Sequence, residues 1–407
     1  MASTSEFRRF LAWTAAISAG AAVACMALVA AVDPYRLYRL YERPGFNQVK
    51  TQPERYQKEI KLSGARASRA DLFIVGNSRA EIGLDPDFPP LAANGMAPYN
   101  LALAGTRIQV AREQLEQLGA TGQHPRRLIV GAEFLDFPID PEAPQLAAPA
   151  TVVRSPAAEL AWRFDALFSV DSVLDALKTV RSQRNPNAPS MSARGFNPLR
   201  EYRDMAREEG YYALFRQRAQ DYAARFKKAP RGLVTRASGS AKEFDQLQAV
   251  LALGVHDGAT IDVVIYPYHA QIMALLEEAG MAPMFEQWKT LLATQVDTLR
   301  AAHPQARITL WDFSGYAPYQ CEPIPAKGDR KAQTRWYWEA GHFKAELGNI
   351  MLARMLGDGA ESGFGVRLTA AGIDANRARV ARERAACLAA SPALFSDAAA
   401  LVKAAKP

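Results

Sequence analysis

Asp71-Leu-Phe-Ile-Val-Gly-Asn-Ser-Arg-Ala80 is the stretch on which the reading of this chain turns. Leu72–Val75 is a short, uninterrupted apolar run, the pattern of a strand buried on both faces. Gly76 and Asn77 break it, and Ser78 stands on the turn that follows. Far downstream, Trp336-Tyr-Trp-Glu-Ala-Gly-His342 supplies Glu339 and His342, three residues apart. A serine on a strand-to-helix turn, with a late acid and histidine, outlines nucleophilic acyl chemistry.

Outward from that stretch the same rhythm repeats. Strand-like runs fall at Leu72–Val75, Tyr99–Leu103, Arg127–Val130, Thr260–Tyr266 and Arg307–Trp311. Helical patterns such as Arg107–Leu118 lie between the first three, with apolar positions recurring every three or four residues. Buried strands alternating with helices predict an α/β/α three-layer sandwich around a roughly five-stranded parallel sheet. From Pro138 to about Val250 helical stretches (Ala157–Thr179, Leu199–Phe226) replace strands, which predicts a helical insertion after the third strand. A helix is expected after His342, running through Leu356, then a Gly-rich turn at 357–365 and a charged helix near Ala375–Leu388.

The N-terminus of the 407-residue chain is set apart. Arg8 and Arg9 precede Phe10–Val32, an unbroken run of apolar and small residues. At about 1.5 Å per residue that run spans a hydrocarbon core of about 30 Å. The arginines predict residues 1–9 in the cytoplasm, 10–32 as a single-pass inner-membrane anchor and the remainder periplasmic or extracytoplasmic. Val29-Ala-Ala31 as a signal-peptidase site and Ala22-Val-Ala-Cys25 as a lipobox compete, but the run exceeds the usual h-region of about 7–15 residues. Residues 33–64, with Pro34, Pro44 and Pro53, read as a stalk, and 65–407 as the folded domain. Cys321 and Cys387 could pair in an oxidising compartment, which the sequence leaves open.

The net charge of +7 is uneven: between Thr151 and Asp245 stand 17 Lys and Arg against 11 Asp and Glu. A solvated helical face explains this; a surface for anionic polysaccharide or lipid headgroups is the sharper reading. No nucleic-acid motif accompanies it.

In an open parallel sheet, ligands bind outside the carboxyl ends of the strands. Gly76-Asn-Ser78, Leu103-Ala-Gly105, Gly131-Ala-Glu133 and Tyr266-Pro-Tyr-His269 all follow strand ends, and Glu339-Ala-Gly-His342 comes after the last strand. This ordered set resembles the SGNH (GDSL-like) hydrolase superfamily over about residues 65–355, particularly its membrane-anchored periplasmic members linked to glycan or envelope O-acylation. The resemblance implies Ser78 as nucleophile, His342 as base and Glu339 in the place usually held by aspartate. It further implies that the Gly105 N–H binds the oxyanion, and it implies no metal and no cofactor. Where the family has Gly-x-Asn-Asp, this chain has Gly131-Ala-Glu133. An ionised carboxylate cannot donate to an oxyanion, so Asn77, Arg79 or Arg107 would have to compensate, or the site has left hydrolysis.

Each residue also has a plainer reading. Ser78 could cap the helix after it. His342 could be a satisfied interior histidine, and His269 a structural one instead of a substrate ligand or alternative base. Trp336, Tyr337 and Trp338 could stack on a sugar or simply pack. Glu133 with Asp136 is a weak metal signal, and Asp312 reads as a strand end or an arginine partner. Two function classes follow. One is an O-acyl esterase or acyltransferase acting on an envelope glycan or exopolysaccharide, fed by a membrane acyltransferase partner. The other is a degenerate glycan-binding or assembly protein.

Overall fold

The computed structural model describes residues 4–51, 55–142, 153–237, 239, 241–357 and 363–405. Its centre is a six-stranded sheet built from β1 (Leu72–Val75), β2 (Pro98–Asn100), β3 (Arg127–Ala132), β4 (Thr260–Ile265), β5 (Arg307–Asp312) and β6 (Val366–Arg367), in the spatial order β2-β1-β3-β4-β5-β6. Five strands are parallel; β6, which pairs Val366 with Asp312, is antiparallel. All four residues of β1 are fully buried, as a strand with neighbours on both edges and cover on both faces requires. β1 neighbours β2 on one side and β3 on the other, so the direction of winding reverses between them. The carboxyl ends at such a reversal form a crevice where ligands bind. Ser78 follows β1 and Glu133 follows β3.

The helices needed below are α1 (Thr4–Val32), α2 (Gln57–Ala67), α3 (Ser78–Gly83), α4 (Ile108–Gly119), α5 (Pro156–Leu167), α6 (Val170–Ser182), α7 (Tyr211–Lys228), α8 (Lys242–His256), α9 (Ala270–Glu278), α10 (Ala282–Ala302), α11 (Ala345–Leu356), α12 (Ile373–Ala390) and α13 (Pro392–Ala404). α1 is 29 residues long, and long and apolar enough to span a membrane.

Several sequence expectations are corrected. Residues 33–64 are not an extended stalk. The Asp33 carboxylate accepts the N–H groups of Leu37, Tyr38 and Arg39 at 2.7–3.1 Å. Lys50–Thr51 pairs antiparallel with Ser190–Met191, and α2 buries Ile60 through Ala65. The buried Lys50 ammonium donates to the Val32 carbonyl at 2.9 Å, and the Asn47 amide donates to the same carbonyl at 3.3 Å. A cation and an amide thus satisfy the carbonyl end of α1, tying the helix into the domain. The strand that pairs with Lys50–Thr51 lies more than a hundred residues away, which is why proline punctuation alone reads as a linker.

The expected helix Ala157–Thr179 breaks at Phe168, because the Ser169 hydroxyl caps α6 by accepting the Ser172 N–H at 3.1 Å. The expected helix Leu199–Phe226 breaks at Gly210, whose φ of +84° glycine adopts without strain. The insertion ends before α8, which packs along α4 beside the sheet. Five of the residues in the expected Gly-rich turn, 358–362, lie outside those described.

Cys321 and Cys387 form a disulfide with Cα atoms 5.8 Å apart, closing a separation of 66 residues between the loop after β5 and α12. A closed loop of that size restricts the unfolded chain by about 4 kcal/mol in the chain-entropy account. Reduction should lower the urea-unfolding free energy by about that amount, and Cys387→Ala should show the same loss without reductant.

Candidate active site

Ser78 opens α3. Asn77, in extended conformation, is the N-cap, and its side-chain oxygen accepts the Arg79 N–H at 3.1 Å. Capping is therefore done by Asn77, and the Ser78 hydroxyl is left for other work. That hydroxyl lies 2.8 Å from His342 Nε2 across 264 residues of sequence. His342 Nδ1 is hydrogen-bonded to Glu339 Oε1, and Glu339 Oε2 accepts the Gly341 N–H at 2.6 Å and is ion-paired with the Arg218 guanidinium at 3.1 Å. With Nδ1–H donating to the carboxylate, Nε2 is the acceptor facing Ser78. Burial opposes ionisation of Glu339, but His342, Arg218 and the Gly341 N–H outweigh it and hold the carboxyl below its usual range. It therefore stays an anion that orients the imidazole.

Glu339 ends a short strand, Tyr337–Glu339, which turns back through Ala340-Gly341 into His342–Phe343. The three-residue spacing between acid and base is the length of this hairpin. Arg218 comes from α7 and has no partner motif in the sequence. It is legible only once α7 is seen against Glu339.

Two further contacts that sequence reasoning missed hold α3 in place. Asn100 Nδ2 donates to the carbonyls of Ala80 and Leu84 at 2.8 and 2.9 Å, satisfying the end of α3. Lys61, on α2, forms a fully buried ion pair with Glu81 at 2.9 Å and also donates to the Ala102 carbonyl. Glu81 Oε2 accepts the Ala104 N–H at 3.1 Å. α3 and the loop carrying Gly105 are thereby joined through one buried charge pair. Gly105 has a φ of +70° and open space where a Cβ would sit. Among the described residues no acceptor takes the Ser78 or the Gly105 N–H, so both are available to an oxyanion.

Glu133 does not project a bare carboxylate into the site. It is buried and ion-paired with Arg79. It also accepts from the Leu135 N–H, the Tyr268 hydroxyl and the Asn77 amide, each at 3.3 Å. Arg79, nominated as an oxyanion donor, is itself only 4% exposed. Its guanidinium is committed to Glu133 and the Tyr222 hydroxyl and lies 4.9 Å from the Tyr268 ring centroid. The ion pair therefore lies in the floor under Ser78, and neither member is a free substrate ligand. Tyr266 completes that floor: a Cβ at Gly76 or Gly131 would run into its hydroxyl. Arg107 stays 61% exposed in its side chain and pairs with Glu243 at 3.2 Å. Burial pushes the nearby Asp136 up to about 6, with Arg107 opposing and Glu243 reinforcing.

His269 is not on the substrate rim. It is fully buried; its Nδ1 accepts the Gln271 N–H at 3.1 Å as the cap of α9, and its Nε2–H donates to the Glu322 carbonyl at 3.0 Å. Burial is the main cause holding its pKa down at about 4. A folded pKa below the unfolded value means the unfolded chain binds the extra proton, so stability is full above pH 6.5 and falls as pH drops toward 4. The loss should approach about 3 kcal/mol. Urea midpoints measured at pH 7 and pH 4 should show it in the wild type and not in His269→Gln.

The aromatic run is packing. The Tyr337 hydroxyl donates to the Pro267 carbonyl at 2.8 Å, and Trp338 packs on Ile82 and Leu199. Trp336 meets Tyr319 edge-on with ring centroids 5.0 Å apart. Asp312 is buried among Lys289, Asn376 and Ser314 and lies on none of the reacting atoms.

The cavity beside Asn77, Thr106 and Arg107 holds about 10 Å³, room for a single water. A cavity of about 340 Å³ between Tyr212, Arg216 and Asp397 includes none of Ser78, His342 and Glu339. No protein-family model matches the chain, and no curated protein matches it.

Proposed function

We propose that this chain is a membrane-anchored serine O-acyl esterase or O-acyltransferase with an SGNH-like three-layer sandwich, facing the extracytoplasmic side and acting on an envelope glycan or exopolysaccharide. One observation carries the reading: Ser78 Oγ, His342 Nε2, His342 Nδ1 and Glu339 form a continuous hydrogen-bonded chain at the sheet's winding reversal. In the proposed reaction, His342 takes the Ser78 proton as Oγ attacks an ester carbonyl. The Ser78 and Gly105 N–H groups hold the oxyanion, and the Asn77 amide is the nearest candidate for a third donor. The leaving alcohol takes the proton from His342. Water or a glycan hydroxyl then attacks the acyl-Ser78 ester, returning its proton through His342.

The neutralised Glu133 weighs against the degenerate binding reading, because the carboxylate that would repel an oxyanion is already paired. The apolar α1 supports anchoring, and an anchor would keep the site close to a membrane acyltransferase that supplies acyl groups. Turnover of p-nitrophenyl acetate by the folded full chain in detergent tests the proposal. Burst kinetics with saturable turnover are expected. Absence of any burst from folded protein would return the chain to the glycan-binding class.

A further inference from the structure

We propose that the α5–α6 hairpin is a second membrane contact, seated in the leaflet from which α1 emerges. The proposal rests on the reading of α1 as an anchor. Both helices show the solvent an apolar stripe where a domain surface should be polar. On α5 and its C-cap it is Leu160, Phe164 and Phe168, at intervals of four; on α6 it is Val170, Leu174 and Leu177, at four and three. These six are all 49% exposed or more, with Val170 at 77%. The Phe164 and Phe168 rings stack on each other with centroids 5.7 Å apart, and both stay more than half exposed. An apolar patch of this extent on one hairpin marks a contact surface.

Its place in the fold says what covers it. α6 lies along α1: Val173, Ala176 and Val180 pack with Leu28, Val29 and Val32. The hairpin tip, Leu167–Val170, meets Ala22, Cys25 and Met26 around a cavity of about 200 Å³. Ala22 lies ten residues before Val32, or about 15 Å along the helix axis. α1 turns polar at Asp33, so wherever α1 crosses a bilayer, the tip sits on the membrane side of that boundary. The exposed stripes then continue the lipid-facing surface of α1, as an interfacial amphipathic helix does at depths of about 5–10 Å.

The charges agree with partial immersion. Lys178 and Arg181 stand at the end of α6 away from the tip, where long cationic side chains reach headgroups. Near the tip, Asp171 is ion-paired with Arg55. Asp165 borders the Phe164–Phe168 face and limits how deep the hairpin can go.

The test uses the full chain in vesicles of phosphatidylcholine with phosphatidylglycerol. Cys25→Ala removes the free thiol, and the Cys321–Cys387 disulfide stays unreactive. A fluorophore sensitive to polarity is then placed singly at Phe168→Cys, at Val23→Cys in α1, or at the exposed Asp374→Cys. Lipids carrying a nitroxide on the acyl chain should quench the Phe168 and Val23 labels several-fold more than the Asp374 label. Quenching at Val23 with Phe168 behaving like Asp374 would overturn the hairpin's immersion while leaving the anchor intact, and would point the patch toward a protein partner. No quenching at Val23 would remove the anchor reading, and this proposal with it.

Discussion

Ser78→Ala is expected to abolish acyl turnover, lowering p-nitrophenyl acetate kcat by on the order of 10⁶-fold, and His342→Ala to lower it nearly as far. The reason is geometric. Oγ and Nε2 are already 2.8 Å apart, and His269, the other histidine considered as a base, is buried and capping α9. A nucleophile and its base act as one unit, so the double substitution should cost little more than either alone. Additive losses would mean that the two residues act separately. Glu339→Gln should cost about 10⁴-fold, because an amide can hold the wrong imidazole tautomer. Folding should survive all three, and far-ultraviolet circular dichroism of each variant checks that.

The second large effect concerns stability. Arg79, on α3, and Glu133, after β3, are 5% and 7% exposed in their side chains and form a buried ion pair. A buried ion pair often contributes little over an apolar pair of equal volume, but removing one partner strands the other charge. Glu133→Leu should therefore destabilise the fold by about 3–5 kcal/mol, and Arg79→Met by a similar amount. Arg79→Met/Glu133→Leu should recover most of that loss. Glu133→Asn is the telling case. On resemblance alone it would supply an oxyanion donor and raise activity. With Arg79 present it should instead leave a buried guanidinium unpaired and lower both stability and turnover. Urea unfolding and esterase rates on the four proteins measure this, and a stable, faster Glu133→Asn would contradict it.

How much of this was legible beforehand depended on distance along the chain. β1 and its turn were readable because four buried apolar residues and a Gly-Asn break lie within one decapeptide. Glu339 and His342 were readable because a short hairpin separates them. Glu133 looked damaging because its neutralising partner, Arg79, is set by a side-chain direction that no spacing reveals. Lys61, Asn100 and Arg218 escaped notice for a related reason. Each acts by satisfying a group on an element remote in sequence, and none carries a motif. The segment 33–64 reads as a stalk because its prolines are local signals, whereas Tyr35 and Ile60 are buried against Trp162, Ala166 and Met191 far along the chain. β6 has only two residues, too few for any periodicity to show.

The measurement that bears most directly on the central claim is the intact mass of the full chain after treatment with a serine-reactive fluorophosphonate, followed by peptide mapping. One adduct per chain, located on Ser78 and missing in His342→Ala, is the result expected of a serine nucleophile raised by its histidine. A folded chain that takes no adduct, or takes it at another serine, would contradict the assignment of Ser78 and with it the acyl-transfer reading.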